Sequence, residues 1–217
     1  MSTCYIFAAG EFDDIKVVPV SEDYVIAADG GYEYIKKCGI VPDYVLGDFD
    51  SLGFVPDEDD VEVHPVMKDD TDTMIAILHG MKLGYKNFII YGGLGGRLDH
   101  TMANIQSLAF LAAKGCTGIL MGIKENVTVT NKSVAFSDVF KGTLSVFSHD
   151  NISLGVKETG LLYTIDDFTM ENQMVRGISN EFIGKKAEIS VKQGTLIIIW
   201  EAENNYGLPE ISNIMTN

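Results

Sequence analysis

The sequence predicts an α/β protein, with an N-terminal mostly parallel sheet flanked by helices followed by a C-terminal antiparallel β-sandwich. Three observations carry this. Short apolar runs alternate with helical stretches as far as Ile123, the pattern of strands joined by crossover helices. Near residue 125 the helical period disappears, and up to residue 200 only short β-type runs remain. The length of 217 residues accommodates one large domain or two modest ones. The change of texture falls within residues 124–142, so the expected domains are 1–130 and 131–217.

The elements follow in order. Cys4-Tyr5-Ile6-Phe7-Ala8-Ala9 is an apolar strand ending at Gly10, and Tyr24-Val25-Ile26-Ala27-Ala28 is a second, ending at Asp29-Gly30-Gly31. A helix is expected through Ile35 and Cys38, closed by Gly39. Asp43-Tyr44-Val45-Leu46 leads into Gly47-Asp48, and Val61 to Val66 leads into Lys68-Asp69-Asp70. Met74, Ile77, Leu78 and Met81 recur at helical spacing, with Asp70 or Thr71 as the cap and Gly84 as the stop. Asn87 to Tyr91 is a strand, a helix runs from about Leu98 to Lys114, and Thr117 to Ile123 is a further strand. The second half reads as strands at 127–129, 143–147, 152–154, 161–165, 187–191 and 195–200. Gln193-Gly194 reads as a hairpin turn, Trp200 as core, and the chain from Asn204 on as a poorly ordered tail.

Composition narrows the function. With 46% hydrophobic residues the chain can build a packed core. A formal net charge of −15 argues against free nucleic acid as a partner, since phosphate backbones demand clustered Lys and Arg. An acidic protein that binds an anionic nucleotide needs a cation between them. Cys4, Cys38 and Cys116 are scattered without a CxxC pair, so they read as buried small hydrophobes in a reduced compartment. The chain has neither a basic-then-apolar leader nor an apolar run long enough for a membrane span, so the expectation is a soluble cytoplasmic protein without a membrane partner.

Three acidic stretches sit where hydrophobic runs end: Gly47-Asp48-Phe49-Asp50-Ser51, Lys68-Asp69-Asp70-Thr71-Asp72 and Gly95-Gly96-Arg97-Leu98-Asp99-His100. Magnesium takes oxygen ligands, commonly one or two carboxylates together with phosphate oxygens. In open α/β sheets ligands bind outside the carboxyl ends of strands, which is where these stretches fall. If the chain stays extended, Asp48 and Asp50 face one side and can share a cation. Asp72 is the candidate third ligand, although acids in a helix's first turn also serve as caps. Lys68 can pair with a phosphate oxygen. Tyr91-Gly92-Gly93-Leu94-Gly95-Gly96-Arg97 is a strand, a glycine loop and a helix start; it matches neither Walker A nor GxGxxG, but its backbone allows close approach of a phosphate. Arg97, His100 and Asn104 then share one helix face.

On these residues the chain resembles the thiamine pyrophosphokinase (thiamine diphosphokinase) family. The matching elements are Ala28-Asp29-Gly30-Gly31, Pro42 through Ser51, Lys68 through Asp72, Gly92-Gly93 through His100 with Asn104, and Gly177-Ile178-Ser179-Asn180-Glu181. The resemblance implies an N-terminal catalytic domain and a thiamine-binding β-sandwich. It implies a homodimer, with thiamine held between the catalytic domain of one subunit and the β domain of the other. It implies transfer of the β,γ-pyrophosphoryl group of ATP to the thiamine hydroxyl, giving thiamine diphosphate and AMP. Carried over by position, Asp48, Asp50 and Asp72 are the Mg²⁺ and catalytic carboxylates, with Arg97 stabilising transferred charge. Asp29, Gly30, Lys68, Thr71, Gly95, Arg97, Asp99, His100 and Asn104 line the nucleotide site. Ser179 and Asn180 help to hold thiamine. The residues alone leave two rivals open. One is a metal-dependent nucleotide-sugar transferase using Asp48-Phe49-Asp50, which gives the Gly-Gly-Arg-Leu-Asp-His loop no role. The other is a non-catalytic nucleotide- or thiamine-binding module.

Overall fold

The computed structural model describes residues 2–11, 14–49, 53–58, 60–63, 70–202 and 207–212. The chain divides into two compact units, Met1–Ser107 with Gly118–Ile123, and Leu108–Thr117 with Lys124–Asn217.

The first unit is built on β1 (Cys4–Phe7), β2 (Tyr24–Ala28), β3 (Tyr44–Gly47), β4 (Val61–Val63), β5 (Asn87–Tyr91) and β6 (Thr117–Met121). Their order in the sheet is β6-β5-β1-β2-β3-β4. The pairs β1–β2, β1–β5, β2–β3 and β3–β4 are parallel. β1 and β3 are buried along their full length, and β2 and β5 beyond their first residue. Burial on both faces is why these strands read as continuous apolar runs rather than alternating ones. Register places Cys4 beside Phe88 and Phe7 beside Tyr91, whose rings stack 5.2 Å apart.

The helices are α1 (Gly31–Lys37), α2 (Asp72–Lys82) and α3 (Leu98–Ala113). All three end in the same motif. Gly39, Gly84 and Gly115 are left-handed, and the next amide reaches back to a carbonyl five residues earlier: Ile40 to Ile35, Tyr85 to Gly80, Cys116 to Leu111. The stripe that α2 buries differs from the expected one. Thr73, Ala76, Ile77 and Gly80 are buried, whereas Leu78 is 40% exposed. The sheet decides this: a Cβ on Gly80 would lie 2.8 Å from both Cys4 Sγ and Phe88 Cε1. The small residues therefore take the closest approach, and the methionines flank it. Thr71 caps the helix, its Oγ1 accepting from the Met74 amide at 3.2 Å. Thr71→Ala is expected to lower stability by about 1 kcal/mol in urea unfolding.

The second unit contains β7 (Glu125–Thr130), β8 (Ser133–Phe136), β9 (Thr143–Ser148), β10 (Ile152–Thr159), β11 (Ile165–Glu171), β12 (Asn180–Glu181), β13 (Ala187–Ser190), β14 (Leu196–Glu201) and β15 (Glu210–Ser212). They form two antiparallel layers, β12-β9-β14-β7 and β11-β10-β13-β8-β15. Trp200 of one layer meets Phe136 of the other edge-on at 5.4 Å, and Phe140 and Phe182 complete the aromatic core. A sandwich follows from the strict alternation in β9 and β14, which bury every second residue.

Several expectations are corrected. Gln193-Gly194 is not a hairpin turn. β13 and β14 lie in different layers, and Gln193 bridges to Leu154 as the chain crosses between them. Residues 161–165 are not a strand: Leu161 makes an isolated bridge to Phe182, and β11 begins only at Ile165. Residues 210–212 are an ordered edge strand on β8, where a poorly ordered tail was expected. Cys4 and Cys116 are buried, but Cys38 at the end of α1 is exposed. The Cys4 thiol, pushed up to about 12 by burial and by Asp43, is inert.

Candidate active site

In the first unit the chain runs β1-β2-β3-β4 to one side and places β5 on the other side of β1, so the strand order reverses between β1 and β5. Parallel strands put all their carboxyl ends on one edge. A cavity of about 530 Å³ opens at that switch point, walled by the residues after β1 and by the glycine loop after β5.

The backbones there are packed too closely for side chains. A Cβ on Gly10 would sit 2.2 Å from the Gly92 carbonyl oxygen, and the Gly10 amide donates to that same oxygen at 3.0 Å. At the neighbouring strand ends the Asp29 amide donates to the Leu46 carbonyl at 2.8 Å, and a Cβ on Gly47 would lie 3.1 Å from Asp29 Cα. Asp29, just after β2, and Asp48, just after β3, follow the paired ends of neighbouring strands, and both are half-buried. Asp29 is itself left-handed, at φ 49°.

Asp29, Thr71, Asp72, Gly95, Arg97, His100 and Asn104 all line the cavity. With Ala8 to Glu11 after β1, four chain segments far apart in sequence thus reach one space. Asp48 and Gly30 are not on its wall, and Gly30 is the N-cap of α1. Asp50 and Lys68 lie outside the described residues. The extended geometry expected for 48–50 fails at Phe49, which is left-handed at φ 57° and buried at 3% exposure. Phe49 is a core side chain.

Asp99 takes the Arg97 guanidinium in a two-pronged grip, Nε to Oδ1 at 3.1 Å and Nη2 to Oδ2 at 2.6 Å. The Asp99 carboxyl, held below its usual range by Arg97 above all, also accepts from the His100 amide. Asp99 is absent from the cavity wall and fixes the direction of Arg97, which does line it. Asn104 is buried, and its Nδ2 donates to the Gly93 carbonyl at 2.8 Å, tying the glycine loop to α3. Glu11, which follows β1, was not anticipated. It lines the cavity, and its Oε1 accepts from the Gly96 amide at 3.2 Å. The signal existed: Gly10-Glu11 ends a strand with glycine and carboxylate, as Gly47-Asp48 does.

Hard oxygen donors beside a glycine loop suit a divalent cation that takes most of its remaining ligands from phosphate and water. Asp29 and Asp72 supply two such carboxylates on the wall. Among the described residues no three acidic, His or Cys side chains are close enough to enclose a metal on their own.

The second unit has its own cavity, of about 270 Å³, walled by Glu158, Tyr163, Phe168, Arg176 and Asn180 among others. Asn180 is 4% exposed and saturated. Its Oδ1 accepts from the Tyr163 and Glu181 amides, and its Nδ2 donates to the Tyr163 carbonyl and to Glu158 Oε2. Ser179 is exposed and left-handed at φ 56°, and its amide donates to Ser145 Oγ. The aromatic residues Tyr163 and Phe168 had no local signature to mark them. Glu158 did: in β10 it shares the buried phase with Val156 while Lys157 faces out, a carboxyl where the alternation calls for an apolar side chain.

Residues 16–120 match the family model described as thiamin pyrophosphokinase, catalytic domain, and residues 125–196 match that of the thiamin pyrophosphokinase, vitamin B1 binding domain. The chain is 28% identical over 185 residues to thiamine pyrophosphokinase of Bacillus subtilis (strain 168), covering 80% of this chain and 85% of that one. It is 25% identical over 198 residues to thiamin pyrophosphokinase 1 of Caenorhabditis elegans, covering 83% and 80%. In fold it is similar to the crystal structure of the thiamine pyrophosphokinase from Bacillus subtilis, with a TM-score of 0.79 at 23% identity over 93% of this chain and 100% of that one. With two adjoining family models matched in order, and with the α/β sheet and sandwich that the solved relatives share, the chain belongs to the thiamin pyrophosphokinase family and is an enzyme of the thiamine diphosphokinase class.

Proposed function

We propose that the protein transfers the β,γ-pyrophosphoryl group of ATP to the hydroxyl of thiamine, releasing thiamine diphosphate and AMP. The observation that carries this reading is the convergence of Asp29, Asp72, Arg97 and the glycine loop on one cavity at the switch point of the sheet. In this proposal residues 1–130 are the catalytic domain and residues 131–217 bind thiamine. The triphosphate lies along the glycine loop, with Gly95 and Thr71 beside it, Asn104 holding the loop and Lys68 pairing with a phosphate oxygen. Asp48, Asp50 and Asp72 would hold Mg²⁺, which would supply positive charge to offset that of the phosphates. Arg97, aimed by Asp99, meets the charge that develops as the hydroxyl attacks the β-phosphorus. An aspartate accepts the hydroxyl proton, with His100 the second choice. Most of the rate enhancement then comes from positioning and preorganised charge.

The functional unit is proposed to be a homodimer whose active sites are shared between subunits, in the cytoplasm where ATP is supplied. The test is AMP formation with ATP, thiamine and Mg²⁺, omitting each in turn. AMP that requires all three supports the reading, whereas ligand binding without turnover would favour a sensor. Asp99→Asn tests the Arg97 brace. It keeps an oxygen for one prong and loses the charge, so kcat/KM for ATP is expected to fall about tenfold, at the low end of positioning effects. An unchanged value in steady-state kinetics would show that Arg97 needs no brace.

A further inference from the structure

We propose that Glu158 reads the aminopyrimidine ring of thiamine, its Oε1 accepting a hydrogen bond from the exocyclic amino group. This rests on the thiamine reading above and goes beyond it, by naming the acceptor and the ring edge it recognises.

Asn180 decides which oxygen of Glu158 is occupied. Three backbone groups fix its amide: the Tyr163 and Glu181 amides donate to Oδ1 at 2.9 and 3.0 Å, and Nδ2 donates to the Tyr163 carbonyl at 2.8 Å. The amide cannot flip without losing all three. Its remaining N–H therefore goes to Glu158 Oε2, at 2.9 Å. That settles which carboxyl oxygen is used and which is left. Oε1 is buried and has no hydrogen-bond partner. Glu158 is 2% exposed and stands on the wall of the 270 Å³ cavity.

A buried carboxyl oxygen without a partner is costly, and a ligand that supplies a donor recovers that cost. The rest of the wall defines the ligand. Tyr163 and Phe168 supply aromatic rings, with the Arg176 guanidinium 5.9 Å from the centre of the Phe168 ring, and Ile165, Met170 and Ile178 are apolar. A flat heteroaromatic ring with one N–H donor at its edge fits such a cavity, and the aminopyrimidine of thiamine is that group. Burial pushes the Glu158 carboxyl up, opposed by the Asn180 hydrogen bond. A donor and the nearby thiazolium charge of the same ligand would favour the ionised acceptor.

The test uses the full-length protein and calorimetric titration with thiamine and with oxythiamine, in which a carbonyl replaces the amino group. Wild type is expected to prefer thiamine by at least about tenfold. Glu158→Gln keeps an oxygen for Asn180 and turns an N–H toward the ligand. It is expected to weaken thiamine about 10- to 100-fold and to abolish the preference, while leaving ATP binding unchanged. Equal binding of the two ligands by wild type overturns the proposal without any substitution, so a Gln variant that fails to fold does not shelter it. A folded Gln variant that keeps the preference also overturns it. Wild-type protein that turns thiamine over but shows either of these results removes the role of Glu158 alone. Wild-type protein that neither binds nor converts thiamine removes the functional reading as well.

Discussion

Asp72→Asn is expected to reduce AMP formation by about 10²- to 10³-fold, the loss typical of one preorganised charge-stabilising group. Asp72 lies in the first turn of α2, on the cavity wall with Asp29 and Arg97. Two roles compete for it. As a helix-dipole partner alone it would contribute about 0.3–1 kcal/mol to stability and nothing to turnover. As a cation ligand it would govern turnover and leave folding nearly untouched. Thr71 already supplies the side-chain cap, through the Met74 amide, so the helix does not need Asp72 for that purpose. Steady-state kinetics and urea unfolding on the same variant separate the two. A normal rate with a lowered unfolding midpoint would assign Asp72 to the helix.

Gly31→Ala should be the most destabilising small substitution in the first unit. A Cβ there would lie 1.9 Å from the Phe7 carbonyl oxygen and 2.5 Å from its carbon. Both atoms are backbone of a central strand and cannot swing aside. Overpacking in a tight core costs about 1–3 kcal/mol and sometimes more, and a collision with the main chain belongs at the upper end. About 3 kcal/mol would lower the melting temperature by roughly 6–12 °C for a protein of this size. Gly39→Ala is the contrast. Gly39 is left-handed at φ 72° with nothing within 4 Å, so only the conformational penalty of about 1–2 kcal/mol applies. The Gly31 effect also reaches the site. α1 must move off β1, and Asp29, two residues earlier, moves with it. Calorimetric melting of both variants checks the ranking, and equal shifts would contradict it.

The first unit was legible because each signal was local. Strands buried on both faces read as apolar runs, and helices closed by Gly39, Gly84 and Gly115 announce their ends. On α2 size, not hydrophobicity, selects the buried face: Ala76 is buried, and Gly80 packs so close to Cys4 and Phe88 that no larger side chain fits there. In the sandwich, partner choice is non-local. Gln193-Gly194 has the composition of a hairpin turn, yet whether β14 pairs with β13 or crosses to the other layer depends on residues far away in sequence, such as Val146 and Leu154. β11 gave little signal because most of its residues are exposed and its pairing with β10 slips register. β15 is a short edge strand, three residues on β8.

The candidate site was legible as a set of strand ends. Asp72, Arg97 and His100 stand in stretches that follow strand ends, where ligands bind in a parallel sheet, and Asp29 and Thr71 joined them through the family resemblance. What stayed hidden depended on side-chain partners. Asp99 braces Arg97 instead of lining the cavity, and Asn180 spends its whole amide inside its own unit. Neither fact has a sequence signature, because each is set by where a distant chain segment passes.

The most direct measurement is the identity and ratio of products. Phosphorus NMR of the protein with ATP, thiamine and Mg²⁺ should show AMP and thiamine diphosphate appearing one to one from the first time points. ADP with thiamine monophosphate, or loss of ATP without any phosphorylated thiamine, would contradict the assignment of pyrophosphoryl transfer.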